Sequence, residues 1–200
     1  MTKLLLATNN HGKLKEFLHI YQGLPVELLI PSQLNLVLEV EESGSTYAEN
    51  AALKARAFAE ASGLYSLADD SGLEVDALGG QPGIHSARYA TLPSANDADR
   101  RAYLLKNLRG KARPWIARFR CVIAIGMPGG EVLFAEGICP GEIIPEERGE
   151  QGFGYDPIFL LPELGLTMAE LPVDEKNRLS HRARAAMAAE PILRSLLTKS

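Results

Sequence analysis

SLADDSGLEVDALGGQPGIHSARY, residues 66–89, opens as a short apolar strand and closes that strand with two adjacent carboxylates, Asp69 and Asp70. Two like charges side by side at a strand end are costly unless a cation or a proton relieves them, which points to a metal-assisted site. The same Asp-Asp-Ser-Gly run is good turn chemistry, because Asp and Ser side chains bond their own backbone. Those four residues by themselves therefore leave an Asx turn equally open.

Upstream, 3–8 reads as a short buried strand, and Leu14, Phe17, Leu18 and Tyr21 then recur at helical spacing. The Ala-rich stretch 46–62 opens with Thr46 and Glu49 in a capping-box pattern and stops at Gly63, which predicts a helix with Asn50 and Lys54 on one face. Downstream, a Gly-rich segment leads to a helix predicted over 96–108 and closed by Gly110. Residues 115–126 and 131–143 are rich in β-branched and aromatic side chains and flank Met127-Pro128-Gly129-Gly130, an antiparallel hairpin pattern. A polar loop at 145–154, a short strand at 157–161 and a helix over 180–197, bent or interrupted near Pro191, complete the chain. Strand-helix-strand order demands parallel crossovers and the hairpin adds antiparallel pairing, so the expected fold is α/β with a mixed sheet.

With 46% hydrophobic residues in 200, the chain can bury a full core, and it is expected to form a single domain over 1–200. Its 21 basic and 25 acidic residues leave −4, which argues against a protein held mainly by nucleic-acid phosphates or an anionic membrane. Cys121 and Cys139 are too few for a disulfide scaffold, and the apolar run 4–7 is too short for a signal peptide or a membrane span. A reducing cytoplasm is the expected setting, with the two cysteines as core thiols. His11, His19, His85 and His181 show no zinc spacing, and no Gly-x-Ser-x-Gly elbow is present.

Four further stretches carry chemistry. Thr8, Asn9, Asn10, His11, Gly12 and Lys13 lie between strand and helix, where backbone amides and the Lys13 ammonium can hold an anion; plain helix capping explains them as well. Glu41 and Glu42 precede Ser43-Gly44, either as a solvated pair or, if the loop folds toward Asp69 and Asp70, as a source of an oxygen ligand for a hard cation. In Gly152-Phe153-Gly154-Tyr155-Asp156, Phe153 can be a stacking platform for a base and Asp156 an acceptor for a ring N–H, or the run can be a packed turn. Lys176, Ser180, His181 and Arg182 cluster at the start of the last predicted helix, where positive charge opposes the dipole; a bound anion or carbonyl, or a solvated face, would account for it.

In order, TNNHGK at 8–13, EESGSTYAENA at 41–51, LADDSGLEVDALGGQPGIHSARY at 67–89, GFGYDPIF at 152–159 and KNRLSHR at 176–182 resemble the inosine triphosphate pyrophosphatase family, in particular its bacterial dITP/XTP pyrophosphatases. The resemblance spans nearly the whole chain. It implies an elongated mixed sheet flanked by helices, two lobes with a central active-site cleft, and a homodimer. It further implies Mg²⁺-dependent hydrolysis of dITP, ITP and XTP to the monophosphate and pyrophosphate.

Carried onto this chain, Glu42 and Asp70 hold Mg²⁺, Asp70 with help from Asp69 activates the attacking water, and residues 8–13, Lys54 and Ser71 hold the triphosphate. Phe153 stacks on the purine, with Gly154, Tyr155, Asp156 and Lys176 around it, and His181 and Arg182 donate to the 6-oxo oxygen that adenine lacks. A Maf-like pyrophosphatase acting on other nucleotides, or a nucleotide-binding module without turnover, are the competing readings.

Overall fold

The computed structural model describes residues 2–197. In chain order the elements are β1 (Thr2–Leu6), α1 (His11–Ile20), β2 (Val26–Leu29), α2 (Tyr47–Ser62), β3 (Tyr65–Val75) and α3 (Asp97–Leu108), then β4 (Trp115–Gly126), β5 (Val132–Ile143), β6 (Phe159–Leu161), β7 (Leu166–Thr167), α4 (Val173–Leu179) and α5 (His181–Leu197). The strands form one seven-stranded sheet in the order β2-β1-β3-β4-β5-β6-β7. Its first three strands are parallel and the pairs β5-β6 and β6-β7 antiparallel, so the sheet is mixed, as the order of elements requires. Contacts divide the chain into two compact units, Met1–Asp70 with Cys121–Gly137 and Arg182–Ser200, and Ser71–Arg120 with Ile138–His181.

In the first unit β1 is the pivot. It pairs with β2 on one side, Leu4 opposite Leu28, and with β3 on the other, Leu4 opposite Tyr65. Because side chains alternate along a strand, Leu4 and Leu6 face one way and Leu5 and Ala7 the other. The first pair joins Phe17 of α1, Tyr21 at its C-cap and Ala185, Ala186 and Ala189 of α5 in one buried cluster; the second joins Ala51, Ala55 and Phe58 of α2 in another. The small residues of α2 permit close approach. A Cβ at Gly126 would lie 2.6 Å from the Ala55 carbonyl oxygen, so α2 can sit this near β4 only where no side chain intervenes. The Ser66 hydroxyl donates to the same carbonyl.

The second unit has its own core, built on Leu73 and Val75 of β3, Leu104 and Leu108 of α3, Phe119 of β4, Ile143 of β5 and Phe159 of β6. Asn96 caps α3 through the Asp99 amide while the Asp99 carboxylate returns a bond to the Asn96 amide. Two such bonds satisfy donors that a helix start otherwise leaves open.

Several expectations are corrected. The Asp-Asp-Ser-Gly run neither turns nor ends a strand: β3 continues through it to Val75, and both acids sit in mid-strand. Asp69 Oδ2 and Asp70 Oδ2 find their partners on other elements, Arg182 and Asn50, rather than in local Asx bonds. Helix α5 is not interrupted at Pro191; the proline lies inside a continuous helix. A proline there removes a backbone bond at a cost of about 3 kcal/mol, offset by burial of Ala186, Ala189 and Leu193 on its flanks. Elements β2, β7 and α4 are additional to the sequence reading, and α3 closes at Arg109. Cys121 and Cys139 are buried free thiols. No helix among the described residues is long and apolar enough to cross a membrane.

Candidate active site

Strand β1 stops at Leu6 and the Ala7 amide bonds to Leu67, so β3 runs on past the carboxyl end of β1, carrying Asp69 and Asp70 beyond it. The chain leaves β1 toward β2 and returns on its other side to β3, which makes this end of β1 a switch point, where open α/β sheets place ligands. The segment 8–12 and the start of α1 lie there too. Asn10 caps α1, accepting from the Lys13 amide at 3.1 Å, and Thr8 Oγ1 accepts from the Asn10 amide. Asn9, Asn10 and His11 are exposed.

Alternation sends the two adjacent acids to opposite faces of the sheet. Asp69 turns to the side of α1 and α5, where its Oδ2 receives Arg182 Nη2 at 3.1 Å and Nε at 3.3 Å and lies 3.0 Å from Lys13 Nζ. The other edge of Arg182 reaches Glu16 Oε2 at 2.5 Å, and Cys121 Sγ approaches Asp69 at 3.7 Å. Burial pushes the Asp69 carboxyl up, but Lys13, Arg182 and Lys54 outweigh it and hold the group well below the usual carboxylate range. Burial likewise opposes charge on Arg182, and Asp69 with Glu16 overcomes it. The Cys121 thiol, pushed up by burial and then by the Asp69 charge, stays protonated. Two anions and two cations thus balance inside the core, which removes the clash the sequence reading had assigned to a metal.

Asp70 turns to α2, where Asn50 Nδ2 donates to its Oδ2 at 3.1 Å. Asn50 Oδ1 accepts from the Gly44 amide at 2.8 Å, tying the loop that carries Glu42 to the same side chain. One turn along, Lys54 Nζ donates to Glu42 Oε1 at 2.8 Å and to the Asp69 carbonyl at 2.6 Å. Burial raises the Asp70 carboxyl, opposed by Lys54, Asn50 and Lys13, and the Glu42 charge adds to the rise; the net direction is up. This is the more basic of the two aspartates.

Among the described residues no three or more His, Cys, Asp or Glu side chains gather into a metal cage. A hard divalent ion held by one or two carboxylates and completed by phosphate oxygens needs none. Glu42 and Asp70 form such an oxygen-only donor set, the Asp70 carboxylate and the loop that carries Glu42 both being tied to Asn50. The residues present fit the ion.

The second unit holds the other sequence-predicted residues. Asp156 Oδ2 accepts from the Phe153 amide at 2.9 Å and from Lys176 Nζ at 2.8 Å, and that ammonium lies 5.1 Å from the Phe153 ring centroid. A Cβ at Gly152, whose φ is +78°, would fall 2.1 Å from Asp156 Oδ2, so only glycine lets the loop close on this staple. Phe153 itself is half-buried. Tyr155 is buried and donates to the Ser86 carbonyl at 2.9 Å, and the His181 ring stacks on Phe119 with centroids 4.7 Å apart.

Some assignments change with this geometry. Arg182 is built into the core between Asp69 and Glu16, and Asp69 is held ionised by three cations. Asp156 secures its own loop through Oδ2. Tyr155 packs in the core. Lys176 falls in the last turn of α4, where positive charge suits the dipole, while His181 and Arg182 open α5. Ser71 follows Asp70 in β3 and joins the Asp69 side by alternation.

Glu16 and Asn50 were not among the predicted site residues. A signal for Glu16 existed: it shares a helix face with Lys13 and Phe17, and a carboxylate in that stripe must have a partner.

The Ham1 family profile matches residues 4–191. The chain is 49% identical over 195 residues to the dITP/XTP pyrophosphatase of Desulforamulus reducens, covering 97% of this chain and 96% of that one. It is 45% identical over 200 residues to the dITP/XTP pyrophosphatase of Listeria monocytogenes serotype 4b, covering 100% and 98%. Its fold superposes on a HAM1 protein from Coxiella burnetii with a TM-score of 0.87 at 40% identity, covering all of both chains.

Proposed function

Because the chain belongs to the Ham1 family, we propose that it hydrolyses the non-standard purine nucleoside triphosphates dITP, ITP and XTP to the nucleoside monophosphate and pyrophosphate. The observation that carries this reading is the convergence, at the carboxyl end of β1, of Lys13, Glu42, Asn50, Lys54, Asp69 and Asp70 from four separate stretches of chain.

Asp70 takes the proton of the attacking water. Asn50 fixes its orientation through a bond to Oδ2. Water adds to the α-phosphorus, the bond to the bridging oxygen breaks and pyrophosphate leaves. Lys13 and Lys54 face the negative charge that gathers on the departing group, each already oriented by a carboxylate. Asp69 stays ionised and orients Lys13. Glu42 and Asp70 would hold Mg²⁺ together with phosphate oxygens, and the ion when bound supplies Lewis-acid polarisation of the phosphoryl oxygens. Phe153 stacks on the purine from a loop stapled by Asp156 and Lys176.

The chain acts as one functional domain over 1–200, as a homodimer, in a reducing cytoplasm that suits its two free thiols. Light scattering on the purified protein checks the dimer.

Pyrophosphate release from ITP, with and without Mg²⁺, tests the activity. Asp70→Asn keeps the shape and removes the base, and should lower kcat by about 10²–10⁴. Undiminished turnover in that variant would overturn the assignment.

A further inference from the structure

Helix α3 had no part in the sequence reading of the site, yet its first turns grip the loop that presents Phe153. Asp97, the first residue of α3, accepts from the Gly154 amide at 2.8 Å through Oδ2, while Oδ1 pairs with Arg100. One turn on, Arg101 Nη1 donates to the Gly154 carbonyl at 2.9 Å. The rest of that guanidinium binds Glu147 with two bonds, Nε to Oε1 at 2.9 Å and Nη2 to Oε2 at 2.8 Å. Both backbone polar groups of residue 154 are therefore held by helix side chains. From the other direction, Asp156 holds the Phe153 amide and Lys176 holds Asp156. The ring is carried on a piece of backbone clamped on both sides.

An acid at a helix start is ordinary dipole compensation, and an exposed Arg-Glu pair contributes little. Neither account explains why Asp97 and Arg101 both reach the same residue of a distant loop, or why Arg101 is only 13% exposed. Burial raises the Asp97 carboxyl, but Arg100 and the Gly154 amide outweigh it and keep the group ionised. A charged acceptor and a charged donor make stronger bonds than neutral groups, and they fix direction as well as distance.

We propose that Asp97 and Arg101 are positioning residues for the purine platform: they hold Gly154 so that the Phe153 ring stands ready before the nucleotide arrives. Neither touches substrate; both act through residue 153. A ring fixed in advance spares the nucleotide the work of ordering the loop, so the effect belongs in KM rather than in kcat. The inference rests on Phe153 being the residue that stacks on the base.

The test is a double-variant cycle with ITP as substrate, measuring kcat, KM and Tm. Asp97→Ala and Arg101→Ala should each raise KM by about tenfold with kcat within about twofold, since they change binding and leave the chemistry intact. Asp97→Asn keeps an acceptor for the Gly154 amide and should recover most of the loss; Arg101→Lys keeps one donor but loses the fork on Glu147 and should fall between. In the Phe153→Ala background, where there is no ring to place, the same changes should add less than about twofold.

Unchanged KM in folded single variants overturns the proposal, as does an increase that multiplies in full with Phe153→Ala. If the alanine variants melt well below the parent, Arg101→Lys, whose KM should still rise measurably, carries the same cycle, and a KM unchanged by it also overturns the proposal. A Phe153→Ala enzyme with unchanged KM strikes the stacking reading first and the positioning role with it. A raised Phe153→Ala KM with full additivity strikes the positioning role alone.

Discussion

Replacing Arg182 by Met separates a buried ionic pillar from a substrate contact. The guanidinium is almost wholly enclosed, with Asp69 on Nη2 and Nε and Glu16 on Nη1. Met is of comparable length and fills the space beside Phe17, so the change removes charge with little loss of packing. It leaves two buried carboxylates facing one ammonium, Lys13. Breaking a buried pair from one side costs about 3–5 kcal/mol, because the orphaned charge keeps its desolvation penalty. At roughly 2–4 °C per kcal/mol for a chain of this size, Tm should fall by about 6–20 °C.

The deficit should shrink as pH falls. Without the guanidinium, the buried Glu16 carboxyl has its folded pKa raised above the unfolded value, and protonation relieves the cost at lower pH. A second substitution sharpens the comparison: Glu16→Leu in the Arg182→Met protein removes the orphaned anion and leaves the Lys13-Asp69 pair intact, so it should restore at least about half of the lost stability. Thermal melts of the parent, the single and the double variant at pH 8 and pH 5 provide the assay. A Tm for Arg182→Met within about 2 °C of the parent would refute the reasoning, as would a double variant less stable than the single one. The outcome expected of a residue that only donates to the base is different: unchanged melting and weaker discrimination between ITP and ATP.

Three further outcomes follow from particular contacts. Asp69 is held below its unfolded pKa of about 3.9, so its contribution to stability is present above that value and lost as pH drops from there toward the much lower folded pKa; the urea midpoint should be insensitive to Asp69 above about pH 5 and fall progressively below about pH 4. Gly152→Ala forces a Cβ into the Asp156 carboxylate at a positive φ, and should raise KM for ITP while leaving kcat within about twofold, read by steady-state kinetics. Thr46→Ala removes the cap on the Glu49 amide at the start of α2 and should cost about 1 kcal/mol, measured by urea denaturation.

Periodicity and punctuation made much of the framework legible. Apolar spacing along α1, the Thr46 start and Gly63 stop of α2, and the hairpin turn at 127–130 are local signals, and local signals need only nearby residues to act. The resemblance named Lys13, Glu42, Lys54, Asp69 and Asp70 together, and the fold gathers them at the carboxyl end of β1. Three short elements escaped, β2, β7 and α4, because strands of two to four residues and a seven-residue helix hold too few positions to display a period.

What the chain by itself determined is the inventory: a mixed α/β sheet, acids in two stretches, Asn50 and Lys54 at helical spacing and an aromatic among glycines. What only the tertiary structure decided is the division of labour among them. Adjacent in sequence, Asp69 and Asp70 look like one pair; extended backbone turns them to opposite faces, where Arg182 and Lys13 hold one acid ionised while burial beside Asn50 leaves the other more basic. Arg182 looked like a hand held out to a base and proved to be locked between Asp69 and Glu16. The electrostatic environment of a side chain is set by residues tens to more than a hundred positions away, and no reading of neighbours along the chain contains that information.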